Sequence, residues 1–205
     1  VIPRYQKVLF VILLIAALGM GFKLWQLRDR AHKRLLTGET TAPTAAPVVA
    51  PAEQATLVVA NDFDNSLVPQ VHSLPLPADP GARARAVLGK LLDLYAAPES
   101  THQIPGGAAS VDQVFLIPAH GAKDPGDELA VVNLTGTFAA SHPAGLESES
   151  LTVLSICATL RANFPSITEV RFLVDGVERP TLAGHADLTR TYLTSEAAPM
   201  EATRP

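Results

Sequence analysis

The chain has 205 residues, of which 47% are hydrophobic and only 5% aromatic, and its formal net charge is −4. A core must therefore be aliphatic, and the lack of a strongly basic block in the soluble part excludes a nucleic-acid surface, which needs clustered Lys and Arg to neutralise phosphates. The one cysteine, Cys157, excludes an internal disulfide and reads as a small core residue.

Residues 1–7 are a short flank carrying Arg4 and Lys7, and residues 8–27 read as a transmembrane anchor. At about 1.5 Å per residue the apolar run covers about 30 Å, the thickness of the hydrocarbon layer. Lys23 lies near one end, where it can snorkel, and Tyr5 and Trp25 suit the interfacial belts. A cleaved secretory leader is the rival reading. Against it, no small-x-small site follows the run, and basic residues do. No cysteine follows either, which argues against lipoprotein anchoring. Ala17 and Gly21 form a small-xxx-small pair, a common chance occurrence that also permits helix packing. Arg28, Arg30, Lys33 and Arg34 follow the span, so charge counting alone slightly favours a cytoplasmic C-terminal side.

Residues 28–55 are a basic juxtamembrane segment and a linker in which Pro43, Pro47 and Pro51 recur among Ala and Thr. Such a segment is a semi-rigid spacer reaching up to about 60 Å at about 3.1 Å per residue. The folded domain is expected over residues 56–192. It opens with a strand at Leu57–Ala60 and a turn cluster at Asn61–Ser66, whose acidic residues lack the spacing of a calcium loop. Leu67–Leu76 carries Pro69 and Pro75 and suits an edge strand or an irregular arm. Asp79-Pro80 starts a helix to Tyr95, with Ala84, Val87, Leu88, Leu91 and Tyr95 on one face. Arg83 and Arg85 near its N-terminus hint weakly at binding and fit an ordinary exposed face better.

A loop over 97–110 precedes a strand at Ser110–Pro118, and Leu129–Leu134 reads as the next strand, antiparallel to it. Glu147 and Glu149 open a long helix with Leu151, Leu154, Cys157, Leu160 and Phe164 at helical spacing. Leu154 is expected to be core, so Leu154→Asp should unfold much of the domain. Pro165 stops the helix, and Val170, Phe172 and Val174 alternate as a strand. Asp175-Gly176 is the dipeptide that a two-residue hairpin turn prefers. Residues 193–205 read as a disordered tail.

The run NFPSITEVRFLVDGVERPTLAGHADL, with its Asp175-Gly176 turn and its ending on Leu182, Gly184, His185, Asp187 and Leu188, resembles the closing half of a GerMN domain, the sporulation and spore germination domain. ANDFDNSLVPQ, ARAVLGKLLD and LAVVNLTGTF resemble its opening half, so the likeness covers roughly residues 56–192. Asn133 departs from the pattern, which more often has an acidic residue there. The resemblance implies an α+β fold, a small mostly antiparallel sheet with two helices packed on one face, like the ring-building modules of sporulation channels. It also implies a bacterial cytoplasmic membrane protein with its soluble domain outside the cytoplasm, against the charge count, and it outweighs that small difference. Asp175, Gly176, Gly184, His185 and Asp187 are then structural motif residues.

The six histidines show no metal-ligand spacing, and there is no nucleophile elbow or phosphate loop. His185 with Asp187 is the best local candidate for a site, and a turn-fixing role explains it better. No catalytic residue, cofactor, metal or small-molecule substrate is expected. The leading reading is a protein-interaction or assembly module, either self-associating or binding an envelope partner. A ligand- or cell-wall-binding module is the alternative, and a hydrolase with a dispersed site ranks below both. The family's sporulation protein carries two such domains and this chain one, which leaves a spore role doubtful.

Overall fold

The alternating and helical periodicities of the second half of the chain become strands and helices in the computed structural model, which describes residues 52–119, 124 and 126–197, with Met20 and Lys23. The flank, the 8–27 span as a whole and the linker up to residue 51 lie outside the described residues. Among the described residues no helix is long and apolar enough to cross a membrane. Val1–Val48 and Val49–Pro205 are separate compact units, and the strands and main helices all belong to the second.

The order is β1 (Ala52–Asn61), β2 (Ser66–Pro75), α1 (Pro80–Ala96), β3 (Val111–Pro118), β4 (Glu128–Leu134), a short α2 (Gly136–Ser141), α3 (Leu146–Asn163), β5 (Ile167–Val174) and β6 (Tyr192–Leu193). This is an α+β domain with two main helices. The expectation of one small sheet needs correction, because there are two. β1 and β2 form an antiparallel hairpin, and β3-β4-β5-β6 form a mixed sheet in which β4 and β5 run parallel. The parallel pair follows from the connection, since α2 and α3 carry the chain back across the sheet before β5 begins.

The two sheets stay separate because side chains, not a strand, close the inner edge of β1. The N–H groups of Thr56, Val58 and Ala60 donate to Asn163 Oδ1, Thr159 Oγ1 and Tyr95 Oη, each at 2.9 Å. Asn163 Nδ2 also donates to the Thr56 carbonyl at 2.7 Å, so this one amide reproduces a rung of a β-ladder. These bonds explain why α3 is buried nearly all round although Thr152, Ser155 and Thr159 lie in it. The hydroxyls of these three residues each have a partner, as burial demands.

Donors that turn toward α3 and α1 cannot turn toward β2. Pairs 56↔71, 58↔69 and 60↔67 are therefore the non-hydrogen-bonded ones, and odd-numbered β2 residues direct their backbone groups outward. Pro69 and Pro75 occupy two of those positions, which is where an edge strand tolerates proline. On β3, a Cβ at Gly81 would lie 2.7 Å from the Val114 carbonyl oxygen. That carbonyl therefore points away from β4, beneath the start of α1. By alternation Leu116 and Pro118 face outward as well, and again a proline stands at the open edge.

α1 begins as its sequence requires. Asp79 Oδ1 accepts from the Ala82 N–H at 2.7 Å, with Pro80 at the first helical position. Arg83 pairs with Glu53, and Arg85 Nε donates to the Val111 carbonyl, so both guanidinium groups tie the helix to neighbouring strands. β1 starts at Ala52, four residues before the boundary read at Thr56, because Ala52↔Pro75 to Ala55↔His72 extend the hairpin. The boundary at residue 193 also moves. Leu193 belongs to β6, and Thr194–Ala197 form a 3₁₀ turn in which Thr194 and Ala197 are buried. Thr194 Oγ1 donates to the Ile167 carbonyl at 3.0 Å, which anchors the turn. Leu151, Cys157 and Leu160 are buried as their spacing predicts, whereas Leu154 and Phe164 are only partly so. Burial pushes the Cys157 thiol up to about 12, an inert setting.

Candidate functional site

The Asp175-Gly176 pair forms a two-residue turn between Val174 and Val177, which exchange backbone hydrogen bonds at 2.9 and 3.1 Å. Both central residues have positive φ, 50° and 77°, as a type I′ turn requires. The Asp175 carboxylate accepts from the Gly136 N–H at 2.7 Å, so the turn also fixes the start of α2. A Cβ at position 136 would lie 2.2 Å from Asp175 Oδ2, and glycine is the residue that permits this approach.

Asn133 supports the same turn from β4. Its Oδ1 accepts from the Gly176 N–H at 2.8 Å, and its Nδ2 donates to Asp112 Oδ2 at 2.9 Å. An acidic residue here would satisfy Gly176 but would set a second carboxylate against Asp112. Asn133→Asp should therefore lower stability by about 1–3 kcal/mol in urea denaturation at pH 7, and recover on mild acidification. An unchanged midpoint would dissociate Asn133 from Asp112.

His185 and Asp187 do not form a pair. His185 Nδ1 contacts Glu149 Oε1 at 2.8 Å, while Asp187 Oδ1 accepts from the Thr189 N–H and hydroxyl at 2.8 and 2.6 Å. Gly184, at φ 128°, lets the loop fold around the Glu149 carboxylate. That carboxylate is fully buried. It accepts from the N–H groups of Ala183, His185 and Ala186 at 3.0, 2.9 and 2.8 Å, and from Gly145 N–H at 3.2 Å. Burial alone would raise its pKa. The bonds from His185 and from the three loop N–H groups outweigh that and bring it down to about 2.

A second polar cluster escapes sequence reading altogether. Asp62 Oδ1 lies 2.6 Å from His102 Nδ1, and His102 Nε2 lies 2.7 Å from Thr152 Oγ1. His142 Nε2 meets the same hydroxyl at 2.8 Å. Carboxylate, imidazole and hydroxyl follow the order of a hydrolytic triad. However, His102 and Thr152 are fully buried and His142 nearly so, and Thr152 Oγ1 is also bonded to the Ser148 carbonyl at 3.0 Å. No acyl group can reach that hydroxyl in this fold. Burial, partly offset by Asp62, holds His102 below the ordinary imidazole value, and burial likewise lowers His142. Tyr95, edge-on to His102 at 4.7 Å, is pushed up to about 12, chiefly by burial.

The acidic turn at Asn61–Ser66 spends its oxygens internally. Asn61 accepts from the Phe63 N–H, Asp64 from Ser66, and Asp62 faces His102.

The surface feature with most capacity for contact is one face of the four-stranded sheet. Its inner face, Val114, Ala130, Val132, Leu134, Val170, Phe172 and Val174, is buried, with α1 against β3 and α3 against β5. The register puts Phe115, Val131 and Arg171 in one outer row, and Ile117, Leu129 and Glu169 in the next. Among the described residues no element covers this outer face. Phe115 and Ile117 are 49% and 45% exposed. Large aliphatic and aromatic side chains are grouped on this open sheet face. The sequence shows the alternation but not which face the helices choose.

No curated protein matches the chain. Among solved structures, the tandem GerMN domains of the sporulation protein GerM from Bacillus subtilis are similar at 20% identity and a TM-score of 0.43, over 71% of this chain and 48% of that one. The chain thus spans about half the length of that tandem. The first GerMN domain of the same protein is similar at 19% identity and a TM-score of 0.40, over 70% of this chain and 98% of that one. A candidate lipoprotein from Clostridium perfringens is similar at 18% identity and a TM-score of 0.37, over 74% of this chain and 93% of that one. The family model described as Germane, sporulation and spore germination, matches residues 56–180, more than half of the sequence, and the chain belongs to that GerMN family.

Proposed function

We propose that this GerMN domain is a protein-assembly module of the bacterial cell envelope, held at the cytoplasmic membrane by residues 8–27 with its folded part outside, and that it is not an enzyme. The observation that supports this reading is the open face of the mixed sheet. Phe115 and Ile117 lie exposed beside Leu129, Val131 and Leu173, and Glu169 and Arg171 bring both signs of charge to its rim. An apolar centre with a charged border is the anatomy of a protein interface. Ring-type packing of copies, as the resemblance implies, would use such a face. The inaccessible Thr152 hydroxyl favours binding over hydrolysis.

A groove between the start of α1 and β3, bordered by Asp79, Arg85, Asp112, Phe115 and Glu128, supports a second reading as a wall- or ligand-binding module.

The test is cross-linking of the full chain in intact cells, comparing wild type with Phe115→Lys/Ile117→Glu. Both side chains are half exposed, so the variant should keep its circular dichroism and lose its cross-linked species. An unchanged cross-linking pattern in a folded variant would remove the sheet face from the proposal. Protease treatment of spheroplasts tests the placement, since digestion before lysis is expected.

A further inference from the structure

Segments far apart in sequence meet at one hydroxyl. Asp62 comes from the β1–β2 turn, His102 from the loop after α1, His142 from the end of α2, and Thr152 from α3. The outer nitrogen of each imidazole rests on a group that can only accept: His102 Nδ1 on the Asp62 carboxylate at 2.6 Å, and His142 Nδ1 on the Pro143 carbonyl at 2.8 Å. Each Nδ1 therefore carries the hydrogen. A neutral imidazole has only one, so each Nε2 is then an acceptor. Both Nε2 atoms turn to the same Thr152 Oγ1, at 2.7 and 2.8 Å, and that hydroxyl has one proton to give.

Two neutral imidazoles and one hydroxyl thus supply three protons for five contacts, the four made by the ring nitrogens and the one between Thr152 Oγ1 and the Ser148 carbonyl, so at least one Nε2 always faces a lone pair. One added proton gives all four ring contacts a hydrogen and leaves only the Ser148 contact without one. The protonated ring donates through Nε2 to Thr152, and Thr152 donates to the other ring. A second proton could turn the Thr152 hydroxyl to the Ser148 carbonyl, 3.0 Å away. It would also leave two buried imidazolium rings, 6.5 Å between centroids, facing one carboxylate. The charged and titratable groups around the pair are few. Asp62 is in contact, and Glu147 shares the depression beside it. Glu149 lies one helical turn before Thr152 with its oxygens committed to the 183–186 loop, and Tyr95 packs edge-on from α1.

We propose that this network is a one-proton acid sensor: His102 and His142 share a single added proton across Thr152, with Asp62 as counter-ion, and a second proton releases the clasp. Release frees the hairpin turn carrying Phe63 and the start of α3 carrying Leu146, which are already 87% and 64% exposed. Acidification as far as the second proton therefore changes the surface at this end of the domain and leaves the sheet face untouched. Because burial holds both rings below the imidazole value of about 6.5, the unfolded chain takes up these protons first, and the network's contribution to folding stability is greatest above that pH and declines as pH falls below it.

The test is a pH titration, from 8 to 4, of the full chain labelled with ¹⁵N-histidine, followed by imidazole ¹H–¹⁵N correlations. His102 and His142 should move together at one midpoint, each by part of the full change, the two parts amounting to one proton. At lower pH a second step should coincide with lost amide protection at 62–66 and 142–146. Asp62→Asn, at a half-exposed position, should keep the fold and move the first midpoint down by about 1–3 units, whereas Thr152→Ser should preserve the shared step. Two independent full steps, an Asp62→Asn midpoint equal to wild type, or no proton uptake before global unfolding would each overturn the proposal.

Discussion

Leu160→Asp leaves the domain unfolded at pH 7, while Leu154→Asp leaves it folded with a lowered melting temperature. Leu160 is fully buried, and it follows Thr159, whose hydroxyl holds the Val58 N–H. A carboxylate there cannot reach water without pulling α3 away from β1. Burying an unpaired charge costs several kcal/mol even after relaxation, against a total stability of about 5–15 kcal/mol for an ordinary domain. Leu154, only partly buried, borders a surface depression with His185 and Arg190, and a carboxylate at that position stays hydrated. The expectation that Leu154 is the sensitive position is therefore corrected to Leu160, six residues further along α3. Circular dichroism with urea titration distinguishes the two variants, and equal loss in both would mean that the helix is rotated from the orientation described.

The second large effect is expected at Glu149. Glu149→Ala removes the acceptor for three loop N–H groups and for the Gly145 N–H, and should cost about 3–5 kcal/mol. The pH dependence identifies the cause. The folded-state pKa is lowered from 4.5 to about 2, so its contribution is fully present above about pH 4.5 and is lost as pH falls toward 2. The lowering corresponds to roughly 3 kcal/mol. Wild type should lose that much between these limits, and Glu149→Ala should lose none of it. If both lose stability equally over that range, another carboxylate carries the acid sensitivity. Hydrogen exchange at Ala183, His185 and Ala186 should rise selectively in the variant.

Much of the chain is legible in its sequence because its signals are local. The limits of α3, the stop at Pro165, the alternation of β5 and the Asp175-Gly176 turn each depend on residues within a few positions of one another. The resemblance to the GerMN family rests on the same stretches. The contacts that escape sequence reading join distant positions. Thr56 and Asn163 close the edge of β1 across 107 residues, and Asp62 finds His102 across 40. Glu149 reads as an ordinary complement to the helix dipole, and nothing local says that a loop 34 residues later will wrap it. One signal is present. Thr152, Ser155 and Thr159 recur at helical spacing in a helix that is otherwise apolar, and a polar stripe on a buried helix announces that something polar lies opposite. The His185–Asp187 pairing draws attention through adjacency alone, although alternate residues of an irregular loop often face different neighbours.

Pro69, Pro75 and Pro118 all stand where an edge strand would otherwise offer a donor to a passing chain. A fibre grows by lending such donors to each newcomer, and every addition recreates the end that invites the next. Removing them separates stickiness from propagation. A domain so equipped can keep greasy side chains in view on its sheet face while its strand edges offer fewer donors on which a fibre could grow.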